Sequence, residues 1–307
     1  MKIANKHLKL VERFKVDVEN WFKYWHKNID SFNEYQKFTY LSTVSESDKG
    51  KLKQMGLPVV QYNIIEPYIS RLRGEFSKQV PDPVVRSPDG TNDPEQVELV
   101  ENHLRYICED SCRTANDLFR EQMSGYSVFK IWTEYRNELS YDQVIRFGKV
   151  DNPTLCGFDI NAKEKSKGDG DISFEVIPKT REKFEEEFGT DILNQITFYP
   201  YSDKAFQWAY SKSENEVICI CELFYKKRVK KNVVQLSRPF PGETDTVMVD
   251  TDYEEKLENF DNQMTAEVPP AVLDTSSRNF DEIWRYRFVG NTLIDQPMRT
   301  EYPGHPQ

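Results

Sequence analysis

Glycine, histidine and cysteine are all sparse in this chain, and each scarcity closes a line of chemistry. Thirteen glycines among 307 residues leave a single G-x-G, Gly168-Asp169-Gly170, with Ser173 where a third glycine would stand. Close backbone approach to a phosphate needs glycines at fixed spacing, so the dinucleotide fingerprint is missing, and no G-x-x-x-x-G-K-[ST] loop is found either. The four histidines (His7, His26, His103, His305) are scattered and form no H-E-x-x-H. Five cysteines are an odd number in a chain of this length, which argues against a disulfide framework. Cys108 and Cys112 lie four apart on a predicted helix without a second pair at zinc spacing, Cys219 and Cys221 alternate along a predicted strand, and Cys156 stands alone. All five are read as free thiols in a reducing compartment, mostly buried as small apolar groups. No metal or cofactor is expected, and no Ser-His-Asp or Cys-His arrangement is legible. No uncharged apolar run approaches the roughly 18 residues of a membrane span, and MKIANKHLKLVERF has no signal-peptide core. The expectation is a soluble protein made in a cytosol, with no membrane partner.

Hydrophobic residues make up 38% and charged residues 30%, and the mean hydropathy of −0.72 is lean for one self-contained globule. Aromatic residues nevertheless reach 13% (19 Phe, 16 Tyr, 5 Trp). So many rings speak against disorder and for broad contact surfaces. The net charge of −10, 51 acids against 41 bases, is the wrong sign for tight capture of nucleic-acid phosphates, though it allows loose handling of DNA. Asp169, Asp171 and Glu175, followed by Lys179, are the one cluster that a metal-dependent nucleic-acid enzyme would want. The aspartates sit in a Lys/Gly-rich turn, KEKSKGDGD, and Pro178 precedes the lysine. A solvated turn is the better reading, and the chain is expected to be no enzyme.

The length is a soft prior of about two domains. Residues 6–27 read as a helix with Leu8, Val11, Phe14, Val18, Trp21, Phe22 and Trp25 on one face. The polar stretch 42–57 reads as a loop. Residues 64–76 are helical in pattern, 80–86 extended between prolines, and Pro88-Asp89-Gly90 a turn. Asp93, Pro94 and Gln96 mark a helix start, followed by a stripe of Val97, Val100, Leu104, Ile107, Ala115, Leu118 and Phe119. Beyond Gly125 the period becomes two: Phe129, Ile131, Thr133 and Tyr135 share a strand face, with further strands at 144–147 and 172–177. Thr180 to Gly189 is a short helix carrying Phe184 and Phe188, and 216–225 a strand.

The last hundred residues are patterned by charge. Lys226, Lys227, Arg228, Lys230 and Lys231 put five positive charges in six residues; they are read as a solvated strand end or as a partner for a neighbour's acids. Residues 243–267 then hold nine acids against one base, Lys256. Within them Tyr253, Leu257, Phe260 and Met264 form a thin apolar seam at four, three and four. So narrow a seam fits a helix packing edge-on against copies of itself, or else a surface helix. Residues 283–293 read as a hairpin about Val289-Gly290-Asn291-Thr292, with Trp284, Tyr286 and Phe288 on one face and Ile283, Arg285 and Arg287 on the other. So small a ribbon is not stable alone and is expected to borrow neighbours or to precede further chain.

EPYISRLRGEFSKQVPDPVVRSPDG, FDINAKEKSKGDGDISFEVIPKTREKFEEEFG, VICICELFYKKRVKK and IWRYRFVGNTLIDQP, in that order, resemble stretches of the portal proteins of tailed double-stranded DNA bacteriophages, the podovirus type in particular. The resemblance implies an α+β chain: a mixed wing domain over 1–240, an acidic segment with the first stem helix over 241–279, and the start of a β-hairpin clip over 280–307. It implies a subunit of a homo-oligomeric ring, a dodecamer, at one capsid vertex of the virion, made in the host cytoplasm. DNA would be packaged through it by terminase and later ejected, passing without tight binding. The large terminase subunit, the major capsid protein and the head-to-tail adaptor would be partners. Tyr253, Leu257, Phe260 and Met264 would form the subunit interface of the stem. Glu254, Glu255, Glu258 and Asp261 would face the channel, and Trp284, Arg285, Tyr286 and Arg287 the motor. The chain is read as an N-terminal portion, since the family continues with a second stem helix.

Overall fold

The computed structural model describes residues 5–40, 44–78, 83–86, 94–164, 167–202, 206–212, 215–236, 246–249 and 272–300. The chain begins with α1 (Asn5–Thr39), about 52 Å long at 1.5 Å per residue. Its apolar stripe does what the spacing requires: Val11, Phe14 and Val18 have no exposed surface and Trp21 is buried. Burying side chains of this size stabilises by about 1.5–3 kcal/mol each. Leu8, at the start of the stripe, stays partly exposed. The helix runs twelve residues past its expected end. Its second half is held by Phe32 against Tyr126, by Gln36 Nε2 donating to Ser124 Oγ at 3.0 Å, and by Asn63 Nδ2 donating to the Thr39 carbonyl at 2.9 Å.

The stretch expected as a loop contains α2 (Glu46–Gln54). Ser45 Oγ accepts from the Asp48 amide at 3.1 Å, and Lys49 pairs with Glu46. None of its residues is buried, so no apolar period exists to announce it; the cap and its ion pairs carry it. α3 (Ile65–Ser77) starts where Asn63 Oδ1 accepts from the Ile65 and Glu66 amides. α4 (Pro94–Gln122) lies against it through stacked Phe76 and Phe119, 4.6 Å apart, and a two-pronged Arg120–Glu66 pair at 3.1 Å. The turn expected at Pro88-Asp89-Gly90 and the cap Asp93 lie outside the described residues.

β1 (Phe129–Tyr135) and β2 (Gln143–Lys149) form a separate two-stranded antiparallel ribbon, Ile131 opposite Phe147. The main sheet takes β3 (Cys156–Phe158), β4 (Ile172–Thr180), β5 (Tyr199–Pro200), β6 (Ala209–Lys212), β7 (Asn215–Leu236), β8 (Thr246–Val249), β9 (Val272–Val289), β10 (Thr292–Leu293) and β11 (Met298–Arg299). The helices α5 (Arg181–Phe188) and α6 (Thr190–Leu193) interrupt it after β4. The central order is β10-β9-β7-β4-β3. The long strand β7 organises it: β6 and then β9 pair with one stretch after another, and β4 and β8 add further partners.

Because β7 is covered on both faces, its alternation is apolar both ways. Cys219, Cys221 and Leu223 pack with Phe174, Val176, Tyr286 and Phe288 beneath α1; Ile218 and Ile220 pack with Phe184, Leu193 and Val289 on the other side. The register makes two rows under the helix, Phe174–Leu223–Tyr286 and Val176–Cys221–Phe288. Gly157 is required there: a Cβ on it would lie 2.7 Å from Trp21 Cδ2 and still closer to the Phe174 ring.

β7 runs eleven residues past its expected end at 225, because the basic run continues the strand. Lys227 and Arg228 stand opposite Glu282 and Asp281; Arg228 pairs with Asp281 at 3.6 Å, and Lys231 with Glu282 at 3.3 Å in a nearly enclosed site. Lys226 Nζ donates to the Gly168 carbonyl at 3.1 Å. Two of the five charges, those of Arg228 and Lys231, are therefore paired within the chain. The hairpin turn forms as expected, with Gly290 at φ +57° and Thr292 opposite Val289. However, β9 is eighteen residues long and pairs with β7 over almost its whole length. Residue 280 thus falls inside one strand, and the hairpin takes its neighbours from the sheet built on β7.

Candidate functional site

The sequence-derived site residues fall into three groups. Tyr253, Leu257, Phe260 and Met264, with Glu254, Glu255, Glu258 and Asp261, lie outside the described residues. Trp284, Arg285, Tyr286 and Arg287 are in β9, but not as a free ribbon. Tyr286 is 2% exposed, edge-on to Phe14 and within 3.1 Å of His7 Nδ1 on α1. Tyr286 is thus part of the core beneath α1. Trp284 packs 6.0 Å from the His7 ring. Arg285 pairs with Glu222 at 3.6 Å, and Arg287 pairs with Asp295. The tertiary pairing with β7 and α1 takes side chains that period-two alternation alone leaves free.

The carboxylate cluster is structural. Both Asp169 oxygens accept backbone amides, from Lys163 at 2.7 Å and Glu164 at 3.2 Å, and those bonds hold its carboxyl below the usual range. Asp159 Oδ2 accepts the Asp171 amide at 3.1 Å, drawing the turn closed. Glu175 faces elsewhere, paired with Lys130 at 2.9 Å. Among the described residues no group of three His, Cys, Asp or Glu could hold a metal ion.

The cysteines are free. Cys156, Cys219 and Cys221 are buried, and burial pushes all three thiols up, Cys219 to about 12. Cys108 and Cys112 are half-buried on α4, with Cys112 Sγ donating to the Cys108 carbonyl at 3.2 Å. No helix of the described residues is long and apolar enough to cross a membrane.

Two surface features are not apparent from the sequence. The first is an apolar exterior over the chain between α2 and α3, α3 and the first half of α4: fifteen large apolar side chains between Met55 and Tyr106 are exposed, among them Tyr62, Ile64, Tyr68, Leu72, Leu99 and Val100. Of the α4 stripe, Val100 and Leu104 are exposed, and Val97, Ile107, Ala115, Leu118 and Phe119 are half-buried. The second is a cavity of about 500 Å³ at the root of the β1–β2 ribbon, lined by Trp21, Tyr24, Trp25, Tyr126, Phe158 and Lys167 among others. Trp21 and Trp25 stack there at 5.8 Å. The Tyr126 hydroxyl is buried without a hydrogen-bond partner, and burial raises it to about 12.

This is an α+β protein whose described part carries many exposed large apolar side chains and, among the described residues, no cluster that could hold a metal ion. A family model described as phage P22-like portal protein matches residues 15–307, and the chain belongs to that family. No curated protein matches it.

Proposed function

We propose that this chain is a subunit of the portal ring, the channel at one vertex of the phage capsid through which the genome is packaged and later ejected. The observation that carries this reading, beside the family, is the set of exposed apolar side chains between Met55 and Tyr106. The largest apolar patch of a monomer is about 300–600 Å² and a standard interface takes about 800 Å² from each partner. The fifteen exposed large apolar side chains between Met55 and Tyr106 would supply apolar surface to such an interface. A repeated interface around an axis would cover them.

On this reading the chain does no bond-making, and DNA passes without tight binding, since every phosphate–ammonium pair would be a stop. Glu254, Glu255, Glu258 and Asp261 would line the channel, with Tyr253, Leu257, Phe260 and Met264 packing stem helices together. Residues 1–240 would be the wing, now with β9 and β10 added because β9 is a full partner of β7. Terminase, the major capsid protein and the head-to-tail adaptor would meet the ring in the virion, and a dodecamer is the stoichiometry proposed. Electron microscopy and native mass spectrometry of the full-length protein test the reading. Closed rings of one subunit type are expected, and a solitary protein at high concentration overturns it.

A further inference from the structure

Among the described residues β1 pairs with β2 alone, so one long edge of the ribbon has no strand beside it. The ladder fixes which groups face that way. The Val150 amide donates to the Val128 carbonyl and the Arg136 amide to the Asp142 carbonyl, both at 2.9 Å, so the even-numbered residues of β1 bond toward β2. The amides and carbonyls of Phe129, Ile131, Thr133 and Tyr135 therefore point outward, unpaired. β2 runs beside α4, to which Lys149 pairs through Glu121, and this leaves β1 as the open edge. No proline and no bulge blunts it. Beside it lies a groove of about 460 Å³ whose wall takes in Val128 to Trp132, with Phe158 of β3 and Phe224 of β7.

A second stretch of unpaired backbone lies elsewhere on the same chain. Leu57-Pro58-Val59-Val60-Gln61-Tyr62 joins α2 to α3 outside any helix or strand, although Val and Tyr are strand-forming residues. Val59 and Val60, neighbours that point to opposite faces when a chain is extended, are both exposed, and Tyr62 is 83% exposed. Among the described residues the backbones of Val59, Val60 and Tyr62 have no hydrogen-bond partner. The segment is tied to the end of α1, where Asn63 Nδ2 donates to the Thr39 carbonyl. The groove lies at the level of Trp21, which packs against Phe174 of its wall. From Trp21 to Thr39 is eighteen helical steps, about 27 Å, so the segment does not reach the groove of its own copy.

We propose that residues 58–62 of one copy add to the open edge of β1 in a second copy as a third strand, lying along the groove. Main-chain hydrogen bonds hold such a strand, and alternate side chains settle into the groove. The charges agree with this occupant. The segment carries none, and the four charged side chains of the groove wall are already paired, Lys130 with Glu175 at 2.9 Å and Arg285 with Glu222 at 3.6 Å, so docking leaves no lone charge enclosed. A third strand also relieves a two-stranded ribbon that is marginal by itself in water. Segment and edge are different surfaces, so the contact is head-to-tail and, repeated, closes into a ring or runs on as a filament. This inference rests on the ring reading and gives part of the exposed surface between Met55 and Tyr106 a named place to dock.

The test uses the full-length chain. In the wild type, amide hydrogen exchange of residues 129–135 and of residues 58–62 should slow together on assembly, because strand addition ties up backbone groups that a side-chain contact leaves free. Val60→Asp and Tyr62→Asp are then combined. Both positions are solvent-exposed, so circular dichroism and the melting temperature of the unassembled protein should be unchanged, while self-association, followed by native mass spectrometry over a dilution series, should weaken on the order of 30-fold or more. Finally, chains carrying Val60→Cys are mixed with chains carrying Ile131→Cys, an exposed residue of the groove wall, and oxidised. A disulfide joining the two introduced thiols, identified by peptide mass, is expected. Rings that form without protecting either segment, persist undiminished in the double variant and give no such cross-link overturn this inference and leave the ring reading intact. A wild-type chain that never self-associates overturns both.

Discussion

His7 Nδ1 and the Tyr286 hydroxyl lie 3.1 Å apart, joining the first turns of the leading helix to a strand 279 residues further on. Tyr286 is otherwise sealed by Phe14 and Leu223 within the core. The pair shows how early and late segments of this chain share a core, and it separates two energies. Tyr286→Phe removes one hydrogen bond and should cost about 1 kcal/mol. Tyr286→Ala removes a buried ring and should cost about 3–5 kcal/mol. Urea midpoints of the two variants check the order; an alanine variant as stable as wild type would mean that β9 does not lie under α1.

Gly157 is the position where the core admits no added atom. A methyl there meets Trp21 and Phe174, two rings packed edge-on at 5.4 Å, and neither can withdraw without opening the row beneath α1. Gly157→Ala should destabilise by about 1–3 kcal/mol through overpacking. Gly50, with nothing near its hypothetical Cβ and set in a helix, should instead gain from the same change, by up to about 1 kcal/mol. Thermal melts of the two single variants should move in opposite directions.

The Glu121 carboxyl, in α4, is pushed up from its ordinary 4.5 by burial, and Lys149 at 2.9 Å only partly offsets this. An acid whose folded value exceeds its unfolded one binds its proton better when folded. Protonation then favours the fold, and stability attributable to this group falls as pH rises through the interval just above 4.5. Wild type should therefore gain on Glu121→Gln as pH is lowered from 7 toward 4.5. Midpoints measured across that range should converge or cross; parallel curves would show that the carboxyl titrates as it does in the unfolded chain.

Thiol reactivity should follow burial. A thiolate is the reacting species, and the enclosed Cys156, Cys219 and Cys221 are held protonated well above neutral pH. At pH 8 a disulfide reagent should modify no more than Cys108 and Cys112 in the native protein, and all five thiols after denaturation. Rapid native modification of any of the three under α1 would contradict the packing of β3 and β7.

The local patterns were legible wherever a residue's fate depends on near neighbours. The stripe of Val11, Phe14, Val18 and Trp21 announces α1, the alternation after Gly125 announces β1, and Val289-Gly290-Asn291-Thr292 announces its turn. The missing glycine loops and metal spacings are equally local, and so is the ordered set of segments resembling the portal family. α2 escaped because it buries nothing, leaving periodicity no signal to report.

Pairing across distance could not be read this way. That the basic run of β7 continues as a strand depends on Asp281 and Glu282 arriving opposite it from about fifty residues downstream. That Tyr286 belongs to the core depends on α1 lying over β9. The exposure of Val100 and Leu104 on α4, that of Leu139 and Tyr141, and the aromatic cavity beside Trp21 and Trp25 are likewise matters of which segments meet. Sequence spacing sets which face of an element is apolar; only the folded arrangement sets whether that face is covered by the same chain or left for another.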